Sequence, residues 1–219
     1  EIKEVLEGAL KQPEKKYGPN MEFWYPAARG IEALPNAILN NICGNQILLN
    51  ANVVAVDASH KEVKLSDGRS ICYEWLINTL PLPLLMHFLE EKVTVKLGNC
   101  TAGLKHNKVY AVNIGLSESE LNTPKGTHWI YFPEESVIFH RISLPHHFSD
   151  WMVPTGCCSI QAEISASVYR PCNQAILIKE TLKGLVKVGI ISEKEALPLS
   201  EGGRVVVAKM MELNPAYII

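Results

Sequence analysis

Apolar residues recur along the chain with two different periods, and the change of period divides it. Near the start, Ile2, Val5, Leu6 and Leu10 follow a helical spacing. Residues 13–29 carry Pro13, Gly18, Pro19 and Pro26 and read as a loop around the aromatic run Phe23-Trp24-Tyr25. Beyond it, Ile31, Leu34, Ile38 and Ile42 are spaced 3, 4 and 4, which predicts one face of a helix. Pro35 fits only the first turn of such a helix, so the start is expected near Ala33 or Leu34.

From Gln46 to Thr79 the pattern shortens to strands, over residues 47–57, 62–66, 70–73 and 75–78. Ser59-His60 and Asp67-Gly68 separate them, and Asp-Gly between two apolar runs is a hairpin signal. A short helix over 82–91 follows the proline-rich corner Leu80-Pro81-Leu82-Pro83. The second half alternates with period two. In 138–144 one face carries Ile138, His140, Ile142 and Leu144, and the other Phe139, Arg141 and Ser143. In 157–165 one face carries Cys158, Ile160, Ala162 and Ile164, and the other Cys157, Ser159, Gln161 and Glu163. Such alternation predicts a sheet with one face on a core. Residues 109–116, 128–132 and 204–213 are further predicted strands. One helix interrupts the sheet: Asn173 is its expected N-cap, Ile178, Leu182 and Leu185 its apolar stripe, and Gly189 its end. The fold class read from these elements is α/β or α+β, an antiparallel sheet backed by helices.

Charge then narrows the function. Lys plus Arg number 21 against 23 for Asp plus Glu, a formal charge of −2, so no basic excess exists for a nucleic-acid backbone. The longest apolar runs are short, and Pro81 and Pro83 break the one over 80–86, far from the roughly 20 residues a membrane span needs. No apolar leader follows Glu1-Ile-Lys-Glu. The six cysteines, Cys43, Cys72, Cys100, Cys157, Cys158 and Cys172, contain no C-x-x-C pair, and buried reduced thiols in a cytoplasmic protein are expected. The opening on Glu1 and the apolar close at Tyr217-Ile218-Ile219 read as the cut ends of a piece of a longer protein.

There is no G-x-G, so the chain encodes neither a dinucleotide fingerprint nor a phosphate-binding loop, and H-E-x-x-H and G-x-S-x-G are absent too. Adjacent His146 and His147 read as solvated side chains rather than metal ligands. Two positions carry candidate chemistry. Arg141, on the polar face of its strand near Trp129 and Tyr131, offers paired donors to a phosphate or carboxylate; alternatively it pairs with Glu163 across the sheet. Arg29 and Gly30 open a helix, where backbone amides suit an anion; an ordinary loop-to-helix junction reads equally well.

Six segments in order carry a resemblance: Tyr-Pro-Ala-Ala-Arg-Gly-Ile-Glu-Ala-Leu-Pro over 25–35, Val-x-Leu-Ser-Asp-Gly over 63–68, Leu-Ile-Asn-Thr-Leu-Pro over 76–81, Trp-Ile-Tyr-Phe-Pro-Glu over 129–134, Phe-His-Arg over 139–141 and Asn-Pro-Ala-Tyr over 214–217. Together they resemble the FAD-dependent amine oxidase and protoporphyrinogen oxidase superfamily, and within it the UDP-galactopyranose mutases. The resemblance implies an FAD enzyme whose Rossmann segment lies outside this chain. It implies residues 1–92 as part of the FAD-binding domain, 93–213 as a substrate domain and 214–219 as a return strand. Arg141, Tyr131, Tyr217 and Arg29 then become substrate-binding residues for a small molecule such as a nucleotide sugar, although Arg29 stands one position later than the family's arginine. Val53, Thr79 and Gly30 become cofactor-binding. By this reading the piece alone is inactive; the reaction is a flavin-dependent isomerisation, with an oxidoreductase of the amine or protoporphyrinogen type, or a non-catalytic interaction domain, as alternatives.

Overall fold

The computed structural model describes residues 23–42, 47–89, 93, 95, 103–118 and 120–217. The helical pattern over 2–10, Cys43 and Cys100 lie outside these residues. The fold is α+β. Among the described residues the strands form two sheets, both antiparallel.

The smaller sheet is a meander of β1 (Val53–Asp57), β2 (Glu62–Leu65) and β3 (Ser70–Cys72). Its second turn is built as Asp-Gly predicts: Gly68 takes φ 86°, and Asp67 accepts a hydrogen bond from the Arg69 backbone N–H at 3.0 Å. Val56, Val63 and Leu65 are buried beneath it, with Leu85 and Phe88 of helix α2 (Leu82–Phe88) packed against them. Helix α1 (Ala33–Leu39) follows a 3₁₀ turn at Gly30–Glu32, so the start near Ala33 is as expected and Pro35 falls in the first turn. The apolar stripe of that segment does not meet a core: Ile31, Leu34 and Ile38 are each more than half exposed.

The larger sheet has the order β5-β6-β7-β4-β8. Its strands are β4 (Lys108–Ser117), β5 (Trp129–Tyr131), β6 (Arg141–Ser143), β7 (Cys157–Ala166) and β8 (Val205–Leu213). β4 and β7 pair along their whole length, from Lys108 opposite Ala166 to Ser117 opposite Cys157. One face of this pair carries Val112, Ile114, Leu116, Cys158, Ile160 and Ile164, all at 1% exposure or less. Helix α3 (Leu177–Lys187) covers it with Leu177, Thr181, Gly184 and Leu185. Asn173 caps this helical segment as expected, its side chain accepting from the Ala175 N–H. A full side chain buried here contributes roughly 1.5–3 kcal/mol, so the sheet–helix contact is the main store of stability.

Three expectations need correction. Residues 75–78 form no strand: Trp75 and Ile77 are almost fully exposed, with no partner strand among the described residues to hold them extended. The strand over 138–144 is confined to Arg141–Ser143, because Phe139 leaves the alternation and inserts into the core. It sits over Gly184, where a Cβ would lie 2.7 Å from the ring. The thiols are not uniformly buried either. Of the four described thiols, Cys72 is exposed, Cys157 and Cys172 are half-buried, and Cys158 is enclosed, where burial pushes its thiol up to about 11.

Arg204 closes the corner before β8. Its guanidinium donates to the carbonyls of Ser117, Glu118 and Glu120 and pairs with Glu195 Oε1 at 2.5 Å. Hydrogen bonds from Ser192, then from Arg204, lower the Glu195 carboxyl to about 2. A depressed carboxylate pKa adds stability that is complete above the unfolded-state value and is lost as pH falls toward the folded one. Glu195→Gln is therefore expected to cost about 1–2 kcal/mol at pH 7, allowing for solvent screening of a partly exposed group. The cost should vanish only below about pH 2, where the wild-type carboxyl is neutral as well. Thermal melts of both proteins across that range check this.

Candidate functional site

The other face of the five-stranded sheet carries the polar residues, and strand register sets them in rows. Tyr131, Arg141, Glu163, Ala111 and Met211 lie opposite one another across the five strands. Two residues along, the next row is Trp129, Ser143, Gln161, Asn113 and Lys209. A third row contains Ser159, Gly115 and Val207. Each row is about 7 Å from the next, two residues of extended chain. The period-two alternation therefore gathers residues distant in sequence onto one polar face.

In the first row Arg141 is already engaged. Its Nε and Nη2 both donate to Glu163 Oε1, at 3.0 and 2.5 Å, and its Nη1 donates to the Tyr131 hydroxyl at 3.2 Å. The guanidinium also stands 5.6 Å from the Tyr131 ring centre. Burial opposes the charged form, but the hydrogen bonds that the guanidinium donates to Glu163 and Tyr131 outweigh it and hold Arg141 above its ordinary value. Glu163 is 8% exposed, with His140 Nε2 3.8 Å from its other oxygen. Burial keeps His140 below its usual range despite that carboxylate. The pairing with Glu163 read from the sequence is thus present. Three of the five guanidinium N–H groups are used, which leaves two for another partner.

A cleft of about 430 Å³ opens beside this pair and is lined by Asn113, Arg141, Gln161, Glu163 and Tyr217. Tyr217 is held there by the backbone, since its N–H donates to Asn107 Oδ1 and its carbonyl accepts from the Asn107 N–H, both at 2.9 Å. The structure therefore brings Arg141, Tyr131 and Tyr217 together. A second cleft, about 410 Å³ and mostly apolar, is lined by Gly115, Met152, Cys157, Val207 and Lys209. It shares Asn113 and Gln161 with the first. Gln161 Nε2 donates to Asn113 Oδ1 at 2.8 Å, so the amide pair is the floor between the two.

Arg29 and Gly30 lie elsewhere. Their loop takes positive φ at both residues (66° and 65°) and packs on the strap 145–153. Ser149 Oγ donates to the Ala27 carbonyl at 2.6 Å, and Tyr25 OH to Met152 Sδ at 3.5 Å. Phe23 packs on His128, Trp129 and Phe148 with ring centres 5.0–5.4 Å apart. The loop therefore reaches the Met152 end of the second cleft rather than Arg141. In that strap burial and neighbouring His147 hold His146 below its ordinary range, which fits its Nδ1 accepting from the Ser159 N–H. Val53 is half-buried at the head of β1 in the meander, and Thr79 is exposed in the segment that follows it, outside any strand.

Sequence reasoning missed Asn113, Gln161 and Lys209 as site residues. The signal was present for Gln161, already on the polar side of its strand. The same parity applied to 109–116 and 204–213 would have added the others.

No protein-family model matches the sequence. Among solved structures, the chain is similar to reduced UDP-galactopyranose mutase, with 21% identity and a TM-score of 0.85 over 99% of this chain and 46% of that one. It is also similar to a candidate protoporphyrinogen oxidase from Exiguobacterium, at 12% identity and TM-score 0.62 over 86% of this chain and 40% of that one. A Pyrococcus furiosus protein aligns over 84% of this chain and 43% of its own, at 14% identity and TM-score 0.61. The chain thus spans about half the length of these structures or less, and at such identities the likeness is one of fold.

Proposed function

We propose that this chain is the substrate-binding portion of an FAD-dependent enzyme similar to UDP-galactopyranose mutase, and that the polar sheet face binds the diphosphate of a nucleotide sugar through Arg141. The observation that carries the reading is the cleft formed by Arg141, Glu163 and Tyr217, with Tyr131 bonded to the same guanidinium. The fold likeness to the mutase over 99% of the chain supports it.

The residues fit part of an FAD site. Among the described residues β1 pairs with a strand on one side only, its other side meeting Leu89 at Val56, and an adenine edge would lie on that other side at Val53. Thr79 is exposed in a segment outside any strand or helix. Gly30 would touch such a group from the Met152 side, and its positive φ, rather than lack of room, is what calls for glycine. When bound, reduced flavin would supply the electron-rich centre that attacks the anomeric carbon of the sugar, the protein providing position. The chain's own part is to hold the diphosphate: Arg141 contributes its two remaining N–H donors, and Tyr131 and Glu163 fix the guanidinium plane.

Calorimetric titration of UDP into the full-length protein tests this reading, and saturable one-to-one binding is expected. The 219-residue chain purified alone should carry no flavin after gel filtration, since on this reading most of the flavin contacts belong to a Rossmann segment outside these 219 residues. A persistent visible flavin band would overturn that assignment. A second reading, an oxidoreductase of the amine or protoporphyrinogen type, is favoured by the apolar lining of the second cleft. Absence of UDP binding together with oxidation of an apolar amine or porphyrinogen would select it.

A further inference from the structure

The Arg141–Glu163 pair raises a difficulty of charge. A guanidinium held at hydrogen-bond distance by a nearly buried carboxylate is electrically neutral as a unit, and a polyanion arriving there gains little net attraction. The carboxylate even opposes it. Something else on the face must supply positive charge if a diphosphate is to bind.

Register identifies the source. Among the described residues, the rows that line the two clefts hold two cations, Arg141 on β6 and Lys209 on β8. Lys209 stands opposite Asn113, in the same row as Gln161, with apolar Val207 and Met211 as its same-face neighbours on β8. It is exposed, and no carboxylate among the described residues forms an ion pair with it, whereas Lys108, on the opposite face of β4, is paired with Glu212. β6 and β8 are three strand spacings apart, about 14 Å, with the Asn113–Gln161 pair between them. Long side chains leaning in from both flanks can meet one anionic group above that pair. Asn113 keeps its side-chain N–H groups for the same ligand, because its carbonyl oxygen is the atom that faces Gln161.

We propose that Lys209 is the second anion-binding residue of this face, and that the two clefts form one elongated site. In it a diphosphate sits over Asn113 and Gln161 between Lys209 and Arg141. Lys209 supplies the net charge; Arg141, fixed by Glu163, supplies the directed hydrogen bonds. The inference rests on the reading of the face as a nucleotide-sugar site and deepens it.

The test is titration of the full-length protein with UDP and with inorganic pyrophosphate at two salt concentrations. Lys209→Met should weaken both probes by about five- to tenfold, the range for one solvent-accessible charge, and should flatten the salt dependence. Lys209→Arg should restore both, which a merely structural role would not require. Wild-type affinity for both probes in Lys209→Met, alongside weakened binding in Arg141→Lys, would overturn the proposal while leaving the nucleotide-sugar reading intact. Failure of the wild type to bind either probe would instead remove that reading, and this assignment with it.

Discussion

Arg141→Lys is expected to fold normally and to lose UDP affinity by about 1.5–3 kcal/mol, the worth of a charge-assisted hydrogen bond. A lysine ammonium can still pair with Glu163, so no buried charge is stranded. It cannot at the same time hold Glu163, reach Tyr131 and present two parallel donors to a phosphate, which the planar guanidinium does. Arg141→Met separates the two roles. It leaves Glu163, 8% exposed, with His140 at 3.8 Å as its one basic neighbour among the described residues, and should destabilise the fold by about 3 kcal/mol as well as abolish UDP binding. Arg29→Ala should change affinity less, because its loop lies at the far end of the second cleft. Flavin content should stay the same in Arg141→Lys. Equal UDP affinity in wild type and Arg141→Lys would reduce Arg141 to a partner of Glu163.

The largest loss of stability from a single methyl group should come from Gly203→Ala. A Cβ there would lie 2.0 Å from the backbone oxygen of Leu197. That oxygen cannot retreat, because it accepts the Val205 N–H at 3.0 Å, next to the Gly203 bond to Pro198 and the Arg204 bond to Glu195. Relief requires breaking the turn that aims Arg204 into its corner, so a cost of about 3 kcal/mol or more is expected. Its neighbour provides the contrast. Gly202 has φ 77° but nothing within 4 Å of a Cβ, so Gly202→Ala should cost only about 1–2 kcal/mol of left-handed backbone strain. For a chain of this size each kcal/mol moves the melting temperature by about 2–4 °C. Calorimetry that finds the two variants equally stable would contradict the steric argument.

Much of the architecture was legible in the sequence because it is written in local periods. The alternation over 157–165 gave β7 and its two faces, Asp67-Gly68 gave the hairpin, and Asn173 and Gly189 bounded the helix that covers the sheet. These depend on the pleat, on turn chemistry and on capping, each decided within a few residues. The failures have the opposite origin. Phe139 fits the strand pattern but goes to the core, because the gap above Gly184, 45 positions away, admits its ring. Trp75 and Ile77 have strand-forming side chains but no strand to pair with among the described residues, and propensity without a partner does not make a sheet.

The candidate site divides the same way. Arg141 and Glu163 could be named from strand parity, and Tyr131 from its neighbourhood. That Asn113, Gln161 and Lys209 complete one row follows from register, which no local pattern specifies. β4 lies between β7 and β8, and the offset of each pair decides whether Lys209 faces Asn113 or misses it by a residue and turns to the other side. The sequence by itself determined which residues could bear chemistry and which side of each strand they occupy, because side-chain direction alternates with the backbone. Only the tertiary structure decided which of them meet, because strand order and register are set by the packing of the whole apolar face against α3.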